Sequence, residues 1–225
     1  MIKVGILTYN KPHLKTQQVI KGLIKKKKIQ INRIIISNFK QFAERKVLFN
    51  HRPFQFKGTH PNDIAKKLKV KIERINNKNC FSGLDYVLIC GSQIIKKKFK
   101  KKFIINCHSG LIPQSRGLDS FKWDILLGNK IGTTLHFIDN QVDYGEIIGH
   151  KYTKIKHSNS LNEVAKNHYN NEIKMLINFE KYLKNNKLFK FPKRKNTLRM
   201  NFIKEKQMIN NFSKWKKINI KNEKI

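Results

Sequence analysis

The sequence predicts an α/β protein: an open, mostly parallel, Rossmann-like sheet flanked by helices, with a short helical C-terminal appendage. Three observations predict it. The chain opens strand, helix, strand. The later strand candidates are short continuous apolar runs, the pattern of strands buried on both faces, rather than alternating ones. Polar residues then gather where those runs end, which is where open parallel sheets collect ligands.

Taken in order, Ile2 to Thr8 is a compact β-like run closed by a loop at Asn10, Lys11 and Pro12. Leu14 to Lys26 carries Val19, Ile20, Leu23 and Ile24 at helical spacing, and Ile29 to Ile36 is again β-branched. Phe49 to Gly58 is an irregular, aromatic-rich loop, after which Asn62 is the expected N-cap of a helix through Ile64, Ala65 and Leu68. Asp85 to Cys90 is a buried-strand candidate ending at Gly91, and Phe103 to Asn106 is a second that runs straight into Cys-His-Ser-Gly. A helix over Asp119 to Leu127 buries Phe121, Ile125 and Leu126. Gly132 to Ile138 and Glu146 to Tyr152 are strands flanking the loop from Asp139 to Gly145. Ser160 caps a long amphipathic helix with Leu161, Val164, Ala165, Tyr169, Leu176, Phe179 and Leu183 on one face. Beyond Pro192 the chain is a basic tail, and Phe202, Met208, Ile209, Phe212 and Trp215 are spaced as a short packing or dimerisation helix.

The bulk numbers exclude several classes. With 39% hydrophobic and 10% aromatic residues over 225 positions there is material for one core, so wholesale disorder is excluded. No apolar run approaches ~18 residues, so no membrane insertion is expected. The N-terminus lacks the cleavage site of a signal peptide. Cys80, Cys90 and Cys107 are an odd number without a C-x-x-C, which argues against zinc and disulfide frameworks and for a reducing, cytoplasmic location; no metal is expected.

A net charge of +35 suggests a polyanionic partner, and nucleic acid stays open on that ground. Only seven of the 49 basic residues are Arg, however, and Asn and Ile are also heavily used, a profile of drift toward A/T-rich codons. The Lys25 to Lys28, Lys96 to Lys98 and Lys100 to Lys102 runs read as solvated faces. Between Phe103 and Gly149 there are three basic and five acidic residues, a net of −2 that leaves +37 on the rest. Lysine enrichment stops at this stretch, and the chemistry is there. Asn106 and His108, two apart at a strand end, project to the same face. Asp143 lies in a glycine-containing loop after another strand and can fold back on them. An amide donor, an imidazole and a carboxylate suit acyl transfer to an amine, which needs no Ser or Cys nucleophile. Cys107 faces away from such a site and reads as a packed thiol.

The runs N-C-H-S-G-L-I-P-x-x-R-G (Asn106 to Gly117), W-D-I-L-x-G (Trp123 to Gly128), G-T-T-L-H-F-I-D (Gly132 to Asp139) and V-D-Y-G-E-I-I (Val142 to Ile148) resemble the folate-dependent formyltransferase family. That family includes glycinamide ribonucleotide transformylase, methionyl-tRNA formyltransferase and the sugar N-formyltransferases. Its Asn-x-His and later Asp fall on Asn106, His108 and Asp143. The resemblance implies a catalytic domain over residues 1–190, a helical tail over 191–225, and 10-formyltetrahydrofolate as formyl donor. It also implies that the pterin ring is held by the Gly91, Ile94, Ile95 turn and the Asp139, Gln141, Val142 loop, and that His136 supports the catalytic loop.

The departures narrow the substrate. Thr8 to His13 stands where the purine enzyme has a Gly/Ser-rich phosphate loop, and the tail is too short for the β-barrel domain of methionyl-tRNA formyltransferase. The nearest match is a sugar N-formyltransferase acting on a nucleotide-linked amino sugar, with Arg116, His51 and Arg52 as candidate contacts to phosphates or sugar hydroxyls. For His51 and Arg52 a self-packed surface loop is an equal alternative, and Arg116 equally suits a turn cap beside Gly117. A homodimer stays open. A tRNA-directed enzyme, or a degenerate relative that binds nucleic acid, is the second functional class.

Overall fold

The computed structural model describes residues 1–40, 46–77, 79–93, 95, 103–139, 141–185 and 196–221. Its elements run β1 (Ile2–Tyr9), α1 (Leu14–Leu23), β2 (Ile29–Ser37), α2 (Pro61–Leu68), β3 (Lys71–Arg74), β4 (Tyr86–Ile89), β5 (Ile104–His108), α3 (Ser120–Leu127), β6 (Gly132–Phe137), β7 (Ile147–Tyr152), α4 (Leu161–Ile177), α5 (Phe179–Asn185) and α6 (Phe202–Lys221). One seven-stranded sheet has the order β3-β2-β1-β4-β5-β6-β7. The pairings from β3 to β5 are parallel, and β6 and β7 add on antiparallel. The order reverses between β1 and β4, which places a crevice at the carboxyl ends of β1, β4 and β5.

The central strands alternate sides within a core that covers both faces. Val4, Ile6, Leu88, Ile105, Cys107 and Leu135 pack with Val19, Leu23, Met175, Leu176 and Phe179 from α1, α4 and α5. Leu7, Ile35, Val87 and Ile104 form a second cluster with Cys80. A third joins α3, the start of α4 and α6 through Phe121, Ile125, Val164, Met208, Phe212 and Trp215. Among the described residues, no helix is long and apolar enough to cross a membrane.

Several expectations shift in detail. The cap of α2 is His60, whose Nδ1 accepts from the Asn62 amide at 3.2 Å, because Pro61 takes the first helical position, where it loses no bond. Strand β3 has no apolar signature because it is an exposed edge, where charged residues discourage further pairing. Strand β5 runs on to His108, since its antiparallel pairing with β6 continues through Cys107↔Leu135 and His108↔Thr134. The long C-terminal-half helix breaks at Asn178, whose side-chain amide bonds back to the Lys174 carbonyl, so Phe179 and Leu183 belong to α5. Ser160 does form a reciprocal capping box with Glu163. The tail helix is longer than its apolar spacing indicated, and the expected boundary at 190 lies outside the described residues, as do Lys96 to Lys98, Lys100 to Lys102 and Pro192.

Candidate active site

The site is built where β5 ends beside β6. Along β5, Asn106 and His108 alternate with Cys107, which is buried in the α1/α4 core. Burial pushes the Cys107 thiol up to about 12, so a neutral thiol sits there rather than a nucleophile.

The pairing register sets Asn106 opposite His136. Nδ1 of His136 lies 2.8 Å from the Phe137 carbonyl, which only accepts, so that nitrogen carries the hydrogen. Nε2 is then an acceptor, and the Asn106 amide nitrogen donates to it at 3.3 Å. Burial holds His136 down at about 4, outweighing the nearby Asp143 carboxylate, which pulls the other way. A neutral imidazole thus orients the Asn106 amide and leaves its second hydrogen for a ligand.

His108 is 7% exposed and is gripped from both sides. Its Nε2 lies 3.1 Å from the Ser115 carbonyl and 3.1 Å from Ser120 Oγ, and its Nδ1 lies 3.3 Å from Asp143 Oδ2. The carbonyl demands a hydrogen on Nε2. The Asp143 carboxyl group closes on the opposite ring nitrogen, so the ring is held between two sets of polar partners.

Asp143 adopts a left-handed backbone, φ 49°, uncommon outside glycine. Its loop is held by Arg116, which is 2% exposed. Arg116 Nε donates to the Asp143 carbonyl and a terminal nitrogen to the Val142 carbonyl, both at 2.7 Å, with the guanidinium 4.9 Å over the Tyr144 ring. The Gly117 amide donates to Asp143 Oδ2 at 3.1 Å. Gly145 lets the loop close against the end of β6: a Cβ there would lie 1.7 Å from the Phe137 carbonyl oxygen.

A cavity of about 190 Å³ opens onto these groups. Its lining combines Asn106, His136 and Asp143 with the apolar Ile89, Ile95, Ile138 and Val142 and the polar Ser92, Gln93, Asp139 and Gln141. A half-apolar slot with amide and carboxylate groups in its lining fits a flat, hydrogen-bonding heterocycle. Of the expected cofactor residues, Ile95, Asp139, Gln141 and Val142 line it. Gly91 is the residue before Ser92 and packs against Tyr9 and His13. Ile94 lies outside the described residues.

The three candidate substrate contacts do not line this cavity. Arg116 spends its guanidinium on the Asp143 loop. Arg52 pairs with Glu172, which also binds Lys15 at 3.1 Å. His51 stacks on Phe121 at 5.7 Å, and burial pushes its pKa well below the ordinary value. Sequence reasoning missed Ser115 and Ser120, which hold the far side of the His108 ring, and Ile89 and Ile138 in the cavity wall. Nothing in their local pattern distinguishes them from packing residues.

A family model described as formyl transferase matches residues 13–179. Among curated proteins, a phosphoribosylglycinamide formyltransferase of Haemophilus influenzae is 33% identical over 87 residues, 36% of this chain and 41% of that protein. A dTDP-4-amino-4,6-dideoxyglucose formyltransferase of Mycobacterium tuberculosis is 29% identical over 105 residues, 45% of this chain and 41% of that protein. A methionyl-tRNA formyltransferase of Prochlorococcus marinus is 24% identical over 165 residues, 72% of this chain and 47% of that protein. The chain thus spans less than half the length of these relatives. Among solved structures, the sugar 3N-formyl transferase WlaRD, crystallised with dTDP and 5-N-formyl-THF, matches with a TM-score of 0.63 at 19% identity, over 94% of this chain and 79% of that one. A Helicobacter canadensis N-formyltransferase in complex with folinic acid and dTDP-3-aminofucose matches with a TM-score of 0.62 at 17% identity, over 94% and 81%. At such identities the likeness shows the fold.

Proposed function

The chain belongs to the formyl transferase family, and from that premise we propose that it moves a formyl group from 10-formyltetrahydrofolate to the primary amine of a small, nucleotide-linked amino sugar. The observation that carries this reading is the meeting of Asn106, His136 and Asp143 in the lining of one half-apolar cavity, with His108 paired to Asp143.

When bound, the donor supplies an activated formyl carbon. The apolar Ile89, Ile95, Ile138 and Val142 hold its ring, and the polar Ser92, Gln93, Asp139 and Gln141 fix the orientation. The free hydrogen of the Asn106 amide then faces the formyl oxygen, and the His108 ring adds its polarity from beside Asp143. Both stabilise the negative charge that grows on that oxygen as the amine attacks. Neither donor moves during the step, because His136 fixes one and Ser115, Ser120 and Asp143 fix the other. The bond from the acceptor nitrogen to carbon forms, the donor's nitrogen–carbon bond breaks, and the proton lost by the amine ends on the donor nitrogen. Asp143 accepts that proton in passing, through water.

The amino-sugar acceptor is supported by the named ligands of the two solved neighbours and by the absence of a Gly/Ser-rich loop after β1, where His13 is instead buried. A methionyl-tRNA acceptor is the alternative, favoured by the charge of +35 and by the relative that aligns over most of the chain. Incubation with 10-formyltetrahydrofolate and a panel of amino-sugar nucleotides, glycinamide ribonucleotide and charged initiator tRNA, read by mass spectrometry, separates them. A formamide on one nucleotide sugar is expected. Failure of the folded protein to bind folate, together with RNA binding that weakens steeply with salt, would overturn the enzymatic reading.

A further inference from the structure

The peptide group whose N–H reaches the Asp143 carboxylate is itself bonded to a part of the chain far from it in sequence. Residues 196–200 run alongside the turn that follows His108 and form a short parallel bridge there, Gly117 to Thr197. The Thr197 amide donates to the Arg116 carbonyl at 2.7 Å, and the Leu118 amide donates to the Thr197 carbonyl at 3.0 Å. The Thr197 hydroxyl sits 2.8 Å from both the Arg116 and Leu118 carbonyls, sharing one hydrogen between them. The segment is tied at its far end as well. Met200 donates its amide to Asp119, the Trp123 indole donates to the Leu198 carbonyl, and α6 then packs its Met208, Phe212 and Trp215 against α3.

One peptide unit links this strap to catalysis. The Arg116 carbonyl, which Thr197 holds, and the Gly117 amide, which holds Asp143 Oδ2, are the two ends of the same planar group. Because that group is rigid, fixing the direction of its carbonyl fixes the direction of its N–H. The Arg116 side chain reaches the same loop through the Val142 and Asp143 carbonyls. Gly117, at φ 98°, makes the approach possible: a Cβ there would lie 2.4 Å from the Thr197 carbonyl oxygen. The matched family segment ends at residue 179, so this strap lies beyond it.

We propose that Thr197 is a positioning residue, which sets the plane of the Arg116–Gly117 peptide and through it the place of the Asp143 carboxylate beside His108. The inference rests on the formyl-transfer reading for its kinetic consequence only. Its test uses the full chain and four variants: Thr197→Val, which removes the hydroxyl; Thr197→Pro, which removes the amide donor; Thr197→Ser, which restores the hydroxyl; and Ile203→Ala on the exposed side of α6 as a control. Misplacing a catalytic group by about 1 Å costs on the order of 100-fold. Thr197→Pro should therefore lower kcat by roughly 10- to 100-fold and Thr197→Val by less. The donor KM should stay within about threefold, Thr197→Ser should recover most of the Val loss, and the control should match wild type.

A second readout needs no turnover. In ligand-free protein carrying ring-labelled histidine, the His108 signal, identified by its loss in His108→Gln, should move in Thr197→Pro and Thr197→Val, while the His150 signal stays put. Wild-type kcat and an unmoved His108 signal in both variants would overturn the proposal. So would a parallel loss of kcat and donor binding with all histidine signals displaced, since that is general unfolding. If wild type transfers formyl to no acceptor, the functional reading fails by itself, and the His108 signal still decides the role of Thr197.

Discussion

In the proposed reaction Asn106, His108 and Asp143 do different work, and their substitution should separate binding from chemistry. Asn106→Ala, His108→Ala and Asp143→Asn are each expected to slow formyl transfer ~100-fold or more, the usual consequence of losing an oxyanion donor or its partner. Folate binding, measured by calorimetry, should persist in all three because the apolar lining of Ile89, Ile95, Ile138 and Val142 is untouched. His136 acts at one remove. His136→Leu deletes the acceptor that orients the Asn106 amide, and losing one hydrogen bond of ~1 kcal/mol implies a kcat lower by about fivefold with an unchanged donor KM. An equal fall in binding would mean that the residue only packs. Asp124 is a different case. It is 2% exposed, its Oδ1 accepts from the Asn129 amide at 3.2 Å, and burial, outweighing the contacts with Ser115 and Asn129, pushes its pKa up to about 7. The folded state therefore keeps a proton that the unfolded chain loses near 3.8, and stability drains away as pH rises between those values. Asp124→Asn should stabilise the protein more at pH 8 than at pH 5 in urea unfolding; an equal effect at both would contradict the assignment.

At the scale of elements, α6 is anchored by charge as well as by packing. Lys122 and Glu205 form an ion pair whose side chains are almost fully buried, and Glu205 also accepts the Leu48 amide at 2.8 Å. Removing one partner strands the other charge. Glu205→Ala should cost roughly 3 kcal/mol of stability, whereas Lys122→Met with Glu205→Leu should be far milder, since an apolar pair avoids the desolvation penalty. A double variant as unstable as the single would show that the Leu48 contact, not the stranded lysine, dominates. This arrangement had no sequence signal, because a Lys and a Glu 83 positions apart look like two surface residues. The strands were legible for the opposite reason. Continuous apolar runs such as the one in β1 have few other uses, and only the charged edge strand β3 escaped notice.

For the whole molecule, the buried histidines set the acid limit. Burial lowers His13, His136 and His168 from an ordinary 6.5 to about 4. The unfolded chain takes up protons at these positions before the folded one does, so their contribution is complete above about 6.5 and falls as pH drops toward 4, three rings outweighing the opposite trend of Asp124. Glu172, held well below the usual carboxylate range by Arg52 and then Lys15 against the cost of its burial, adds to the loss at lower pH. Urea midpoints measured from pH 7 to pH 4 should fall steeply, and His168→Gln should flatten the slope. A flat profile in wild type would show these rings to be accessible and charged.

By itself the sequence determined the fold class and brought forward the groups we propose to react. Buried parallel strands must be continuously apolar, and an amide two residues from an imidazole on an extended backbone must share its face. It did not determine what holds those groups. Arg116 reads equally as a substrate contact or a turn cap, and only the folded chain shows its guanidinium spent on the Val142 and Asp143 carbonyls. Tertiary structure alone brought Thr197 to the Arg116–Gly117 peptide and Glu205 to Lys122. Those partners meet through hydrogen bonds and charge across more than 80 residues, and such contacts leave no periodicity along the chain to be read.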